Sequence, residues 1–293
     1  MGVHTHDDFD WTTRLVDLRR RDSIAAEAYR GTADRLVGML QPGSTVVDIG
    51  SGAGGMAAQL GLALRARGGG RLVLVDAVQE LLDAATEHVR TVLSGPGATV
   101  TVDTVLGDAA SDELANQLPA ADLVWAAAVV HHLRDQQEGV NRLAGLLASG
   151  GWLALAEDGL GTQCLPWDLG VGAPGLTDRL IAARKAWFAQ MRADIPGSVR
   201  LTVGWTRSLA DAGLRDVTSF SYLIDHPAPV SEEVRTAVIG WLHHTAEVVT
   251  DLLAEDDRTA LARLLDPADP AFVGARDDLF YLASTTVNLG RRG

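Results

Sequence analysis

The chain has 293 residues, 47% of them hydrophobic, enough to bury a full core and to carry one large domain with elaborations. Acids outnumber bases 38 to 25, a formal net charge of −13 that repels phosphodiester backbones and argues against a nucleic-acid partner. The most basic run, Arg19, Arg20 and Arg21, reads as a solvated helix end.

A single cysteine, Cys164, excludes an internal disulfide and a multi-cysteine zinc site, and suits a reducing cytoplasm. No apolar run reaches bilayer length, and MGVHTHDDFD at the start lacks the basic and apolar segments of a signal peptide. A soluble cytoplasmic protein is expected, with no membrane partner.

Over residues 11–39, Leu15, Leu18, Ile24, Tyr29, Leu36 and Met39 recur at mixed three- and four-residue steps between charges, which predicts one or two helices ahead of a sheet. QPGSTVVDIG then gives a turn at Pro42 and Gly43 and a first apolar strand. GGGRLVLVDA is a second strand, QELLDAATEHVRTVL an amphipathic helix and ATVTVDTVLGD a third strand. ADLVWAAAVVHHL supplies a fourth, EGVNRLAGLLAS a helix and GGWLALAED a fifth.

Strands that alternate with helices, several of them apolar on both faces, require a mostly parallel sheet covered on two sides: a doubly wound α/β fold. After Glu157 the rhythm breaks into the Gly- and Pro-rich loop DGLGTQCLPWDLGVGAPG and a helix over about 176–191. It resumes with helix WTRSLADAG, strand VTSFSYLI, a helical insertion over 231–265 and a last strand LFYLASTTVNL. The expected organisation is N-terminal helices over 1–40 forming part of a lid, a cofactor-binding core over 41–157, and the rest of the sheet over 158–293. Helical cap insertions are expected at about 158–195 and 226–276.

In such a sheet the ligand sits beyond the strand carboxyl ends, and the first turn does the holding. Gly50, Gly52 and Gly54 follow Asp48 in VVDIGSGAGG, while Gly50, Gly52 and Gly55 also satisfy the dinucleotide fingerprint G-x-G-x-x-G. The glycines alone leave both ligands open. Asp48 would repel a pyrophosphate and welcome a cationic amino-acid moiety. Asp76 ends the second strand, where a carboxylate can accept both ribose hydroxyls in either class of site. Asp108, ending the third, can accept a hydrogen bond from an adenine amino group. Each acid alone would also suit a helix cap, but the three fall in register after three consecutive strands.

These residues, with the segments VVDIGSGAGG, LVLVDA, LGDA, ADLVWAAAVVHHL and LLASGGWLALAE, resemble in order the class I S-adenosylmethionine-dependent methyltransferases over most of residues 25–160. The near absence of lysine, Lys185 excepted, suits an actinobacterial-type, GC-rich source. The resemblance implies a Rossmann-like sheet of seven mostly parallel strands, the last antiparallel, closed by VTSFSYLI and LFYLASTTVNL. It implies that Asp48, Gly50, Ser51, Gly52 and Gly54 line the methionine moiety, Asp76 with Ala77 the ribose, and Asp108 with Ala109 the adenine. Trp125 or Ala126, ending strand four, would offer backbone carbonyls to the cofactor ammonium. A nicotinamide-dependent oxidoreductase and a non-catalytic or differently reacting cofactor-binding protein of the same fold are the alternatives.

A sulfonium methyl is already activated, so the enzyme must chiefly align a nucleophile and exclude water. WAAAVVHH stands where methyltransferases acting on nucleic-acid amino groups carry an Asp/Asn-Pro-Pro-aromatic motif, and no Pro-Cys pair offers a covalent route to a pyrimidine carbon. The same alanines leave no acidic cluster resembling a magnesium site, and no metal is expected.

His131 and His132 follow strand four, and His131 is the candidate general base, histidine being the side chain that ordinarily titrates near neutrality. The competing reading has it packing under the next helix. His243 and His244 border a helix whose apolar face uses Val234, Val238, Trp241, Leu242, Val248, Val249 and Leu252. Adjacent helical residues diverge by about 100°, so a zinc pair is not expected there and substrate contact is. Trp167 and Trp187, with Phe188 and Met191, offer an apolar pocket roof or simply pack the inserted helices. The expected acceptor is a small or medium natural-product or peptide substrate, methylated first of all on oxygen, by a monomer or homodimer.

Overall fold

The computed structural model describes residues 11–97 and 99–293; the first ten residues of the expected N-terminal segment lie outside these. The mixed three- and four-residue spacing forms one continuous helix, α1 (Trp11–Gly38). Strand and helix then alternate: β1 (Thr45–Ile49), α2 (Gly55–Ala66), β2 (Gly70–Asp76), α3 (Gln79–Val92) and β3 (Val100–Leu106). A short α4 (Leu114–Gln117), β4 (Ala121–Ala127), α5 (Gln136–Gly145) and β5 (Leu147–Ala156) follow. The remainder is α6 (Leu176–Asp194), α7 (Trp205–Asp211), β6 (Arg215–His226), α8 (Glu232–Val249), α9 (Glu255–Leu265) and β7 (Tyr281–Arg291).

The seven strands form one sheet in the order β3-β2-β1-β4-β5-β7-β6. β1 pairs in parallel with β2 and with β4, β2 with β3, and β4 with β5, whereas β7 runs antiparallel to β5. This is the doubly wound Rossmann-like sheet that the alternation predicts. Strand order reverses at β1, so the crevice beyond the carboxyl ends of β1 and β4 is the natural ligand position.

Period-two alternation within the inner strands builds two cores at once. Val46, Leu72, Leu74, Leu123 and Trp125 join Leu36, Leu60, Leu64 and Val89 from α1, α2 and α3 on one face. Val47, Val73, Val75, Val124 and Ala126 join Val140, Leu143 and Leu209 from α5 and α7 on the other. Both faces of the inner strands are buried, which explains why these strands read as unbroken apolar runs. Edge strand β3, by contrast, has no fully buried residue.

Two sequence expectations are corrected. The fifth strand begins at Leu147, before the two glycines, because its pairing with β4 slips between Ala121 and Leu123 and Gly150 takes a left-handed φ of 80°. Leu252, assigned to the apolar face of the second insertion, is 51% exposed, because α8 ends at Val249 and a 3₁₀ turn over Thr250–Leu252 breaks the helical period.

The chain divides into two compact units. The first comprises Met1–Asp158, Pro196–Tyr222 and Thr285–Gly293 and holds β1 to β5 with their helices; the second comprises Gly159–Ile195 and Leu223–Ser284. Within the second, the Arg179 guanidinium grips the Asp257 carboxylate through Nε and Nη2 at 2.8 and 2.9 Å. It also donates to the carbonyls of Pro174 and Ala173, so one side chain ties the loop before α6 to α9. Cys164 is fully buried in this unit, and burial pushes its thiol well above the ordinary range. Among the described residues no helix is long and apolar enough to cross a membrane.

Asp257→Ala leaves the Arg179 clamp without its anion in a site where Asp257 is 6% exposed. Because Arg179 is partly exposed, screening trims the loss below that of a fully buried pair, to about 2 kcal/mol. Urea unfolding followed at equilibrium should show it, together with alkylation of Cys164 at lower urea than in the parent protein.

Candidate active site

All the residues considered first lie in the larger unit. The carboxyl end of β1 runs straight into the glycine turn. Gly50 and Ser51 donate their amides to the Val75 carbonyl at 2.8 and 3.0 Å, fastening the turn to β2. The Ser51 hydroxyl lies 3.1 Å from the Asp48 carbonyl and accepts from the Val75 amide at 3.1 Å. Gly54 starts α2 in a left-handed conformation, φ 86°, where a Cβ would stand 2.9 Å from the Ala85 Cα and 3.0 Å from its carbonyl oxygen. A side chain is therefore barred at Gly54 by both torsion and space.

Gly52 differs. A Cβ there would meet nothing nearer than the Gly50 carbonyl at 4.0 Å, so the open side of the turn lies at Gly52. Its amide donates to Asp76 Oδ2 at 2.9 Å, while Asp76 Oδ1 accepts from Val78 at 3.0 Å. Burial raises the Asp76 carboxyl above its ordinary range, and the backbone donors at Gly52, Val78 and Ala77 oppose that rise. Ala77 is exposed just beyond the strand.

Asp48 is 2% exposed and, among the described residues, forms no ion pair. Burial first, then the neighbouring carboxylates of Asp76 and Asp22, push its pKa up to about 8, with Ser51 opposing. Such a carboxylate is suited to a cationic ligand. These groups fit the amino-acid and ribose portions of S-adenosylmethionine: a buried carboxyl group that a cation would ionise, an open glycine and a carboxylate at the end of β2. At the end of β3, Asp108 is half-buried and accepts from the Ala110 amide at 2.8 Å, with Ala109 buried beside it.

β4 continues to Ala127, so Trp125 and Ala126 do not end it. Both lie inside the ladder, opposite Asp48 and Ile49 of β1 and Ala154 and Leu155 of β5. The Trp125 ring is sunk in the α1/α2/α3 core, leaving only its backbone for a ligand. Ala127 is the first residue of β4 beyond the reach of β1, and Ala128 turns the chain with φ 54°.

That turn delivers Val130–His132 as a 3₁₀ helix over the carboxyl end of β5. Glu157, 3% exposed, follows the last residue of β5 and organises it. Its Oε1 accepts from the Val129 and Val130 amides at 3.0 and 2.8 Å, and its Oε2 lies 2.5 Å from His131 Nδ1. A carboxylate at that distance accepts a hydrogen bond from Nδ1–H, the tautomer in which Nε2 carries the lone pair. The His131 and His132 rings lie 4.2 Å apart.

Asp22 of α1 carries no motif signature in the sequence. Its Oδ2 accepts from the Gly55 amide at 2.9 Å, capping α2 from a different helix. Glu157 was legible only as the close of an apolar run. Trp167, Trp187, His243 and His244 all belong to the second unit: Trp167 is 71% exposed, Trp187 half-buried, His243 exposed, and His244 lies 3.7 Å from Glu247. Among the described residues no group of three or more His, Cys, Asp or Glu could hold a metal ion.

Residues 47–153 match a family model described as a methyltransferase domain. No curated protein matches the chain. Solved structures similar to it include a proposed methyltransferase of Bacillus halodurans, 13% identical, covering 90% of this chain and 98% of that one with a TM-score of 0.48. The YcgJ protein of Bacillus subtilis is 16% identical, covering 90% and 98% with a TM-score of 0.46. Phosphoethanolamine N-methyltransferase 2 of Haemonchus contortus, in complex with S-adenosylmethionine, is 16% identical, covering 85% and 49% with a TM-score of 0.41. These likenesses are distant, and the assignment stands on the domain match and the strand topology.

Gly54→Ala should cost about 1–3 kcal/mol of stability, the toll of a left-handed non-glycine residue pressed against Ala85. Chemical denaturation reads it directly, and Gly52→Ala, where the same added methyl meets open space, should cost less.

Proposed function

From residues 47–153 being the methyltransferase domain of a class I, S-adenosylmethionine-dependent enzyme, we propose that this protein methylates a hydroxyl of a small or medium organic or peptide acceptor, with His131 as the base. The observation that carries the reading is the 2.5 Å contact between His131 Nδ1 and the buried Glu157. A histidine that merely packs under a helix has no need of a dedicated carboxylate that is itself fixed by two backbone amides.

The cofactor supplies an electrophilic methyl group that needs no further activation. Asp48, Gly50, Ser51, Gly52 and Gly54 would hold its methionine portion, Asp76 and Ala77 its ribose, and Asp108 and Ala109 its adenine. Trp125 and Ala126 would contribute backbone only, with the Ala127 carbonyl the better placed of the three.

Glu157 fixes the His131 ring and its tautomer. Nε2 then takes the proton of the acceptor hydroxyl as the oxygen attacks the methyl carbon, and Glu157 balances the imidazolium that forms. Closing off water keeps the nucleophile from being solvated away from the methyl group. Trp167, Trp187, His243 and His244 would select the acceptor. The enzyme would act in the cytoplasm, in secondary metabolism, as a monomer or homodimer.

Asp76→Ala should weaken S-adenosylhomocysteine binding at least about tenfold by calorimetry, the loss of a charge-assisted pair of hydrogen bonds. Unchanged affinity would remove the ribose assignment. For the base, His131→Asn should lower kcat by about 10²-fold while leaving S-adenosylhomocysteine affinity unchanged. Glu157→Gln retains an acceptor for the Val129 and Val130 amides and should lower kcat less. A kcat equal in the parent and His131→Asn would return the histidine to packing.

A further inference from the structure

The 3₁₀ turn that carries His131 is flanked by Val129 and Leu133, and each of these residues is seated on a glycine. At the far end Leu133 fills the space beside Gly139 of α5: a Cβ on that glycine would run into Leu133 Cδ1 and stand 3.6 Å from Val130 Cγ1. At the near end the seat is not a helix but the glycine turn after β1. A Cβ at Gly50 would lie 2.5 Å from Val129 Cγ2, so a methyl group of Val129 occupies the room over Gly50 that a side chain would claim.

Val129 is held on three sides. Its amide donates to Glu157 Oε1 at 3.0 Å, and its carbonyl accepts from the His132 amide at 3.1 Å. Its side chain, partly buried, packs against the core that includes Ile49, Val124 and Val130. The surface beneath it is fixed as well, because the Gly50 amide donates to the Val75 carbonyl of β2 at 2.8 Å. The other oxygen of Glu157 meets His131 Nδ1. One residue therefore touches the turn that follows Asp48 and shares a carboxylate with the imidazole.

We propose that Val129 is a positioning residue that ties the base to the cofactor turn: a ligand that fills the turn stiffens Gly50, and Val129 passes that order on to Glu157 and His131. The proposal rests on the cofactor and the base assigned above. Alignment of a base and an acceptor with a methyl group gains rate only when all are fixed in one frame. Glu157 fixes His131 to the end of β5; Val129 joins that end to the end of β1. The two glycine seats then have separate roles. Leu133 on Gly139 anchors the turn to the scaffold, and Val129 on Gly50 anchors it to whatever the glycine turn holds.

Hydrogen exchange of the full chain, read by NMR at the Val129 and Val130 amides that Glu157 accepts, tests the tie without an acceptor substrate. At about a hundred times its Kd, a ligand that binds only the closed state slows opening by up to about a hundredfold. With S-adenosylhomocysteine at that excess, the parent protein should show at least about fivefold slowing at both amides. Val129→Ala should bind the same ligand within about threefold of the parent affinity by calorimetry, yet show less than about twofold slowing. Val129→Ile keeps a methyl group over Gly50 and should restore it. Leu133→Ala should speed exchange with and without ligand while keeping the ligand-dependent slowing, which separates the tie from plain packing.

Binding to the parent without slowing, or slowing equal in the parent and Val129→Ala, overturns the tie alone. Failure of the parent to bind S-adenosylhomocysteine overturns the cofactor reading with it. Should Val129→Ala not fold, Val129→Cys, with one γ atom in place of two, takes its place and should lose the larger part of the slowing.

Discussion

A carboxylate at the end of the central strand, buried and without an ion-pair partner among the described residues, is the constraint around which the first unit is arranged. Asp48 sits in register with Leu74 of β2 and Trp125 of β4, inside the sheet, where strand pairing allows it little movement. A carboxyl group in such a place is costly to ionise unless an opposite charge comes to it, which is why its pKa is pushed up to about 8. Its retention at the mouth of the crevice is intelligible if a cation is to be bound there. The local architecture holds this acid still: Ser51 bridges β1 and β2, Gly54 closes the turn against α3, and Asp22 braces the start of α2 from α1.

A second buried acid solves a different problem on the neighbouring strands. Glu157 is satisfied twice by backbone amides and once by His131, so its burial is compensated locally and its geometry is over-determined. The left-handed Ala128 makes this possible by turning the chain back over β5. Backbone strain of that kind, adjacent to a fixed carboxylate and an imidazole, is a common companion of chemistry. The two acids also divide the work. Asp48, buried without an ion-pair partner among the described residues, suits binding; Glu157, hydrogen-bonded by two backbone amides and His131, suits orientation.

The sheet was legible from the sequence because its inner strands are buried on both faces and read as apolar runs, while β3 and β6, with no buried residue, show instead an interleaving of polar and apolar residues. Boundaries failed where a local device overrode the pattern. Gly150 reads as a turn residue but serves as an irregularity within β5, and the 3₁₀ turn after Val249 shifts Leu252 out of the helical stripe. Trp125 reads as a strand end because alanines follow it, yet small residues pair in a ladder as well as large ones, and β4 runs on to Ala127.

The site was legible in its sequence-local part and opaque elsewhere. Asp48, the glycines, Asp76 and Asp108 are recognisable because each follows its strand at a fixed step, so one-dimensional spacing encodes three-dimensional position. Asp22 lies 33 residues before its partner Gly55, and Glu157 lies 26 after His131; no periodicity links either pair. A trace of one of them does survive in the sequence. Gly55 looks like the third glycine of a nucleotide fingerprint, and it is glycine because a carboxylate from another helix occupies the space a side chain would need. Packing thus separates the two glycines that end this turn: Gly54 closes it against Ala85, and Gly55 makes room for Asp22.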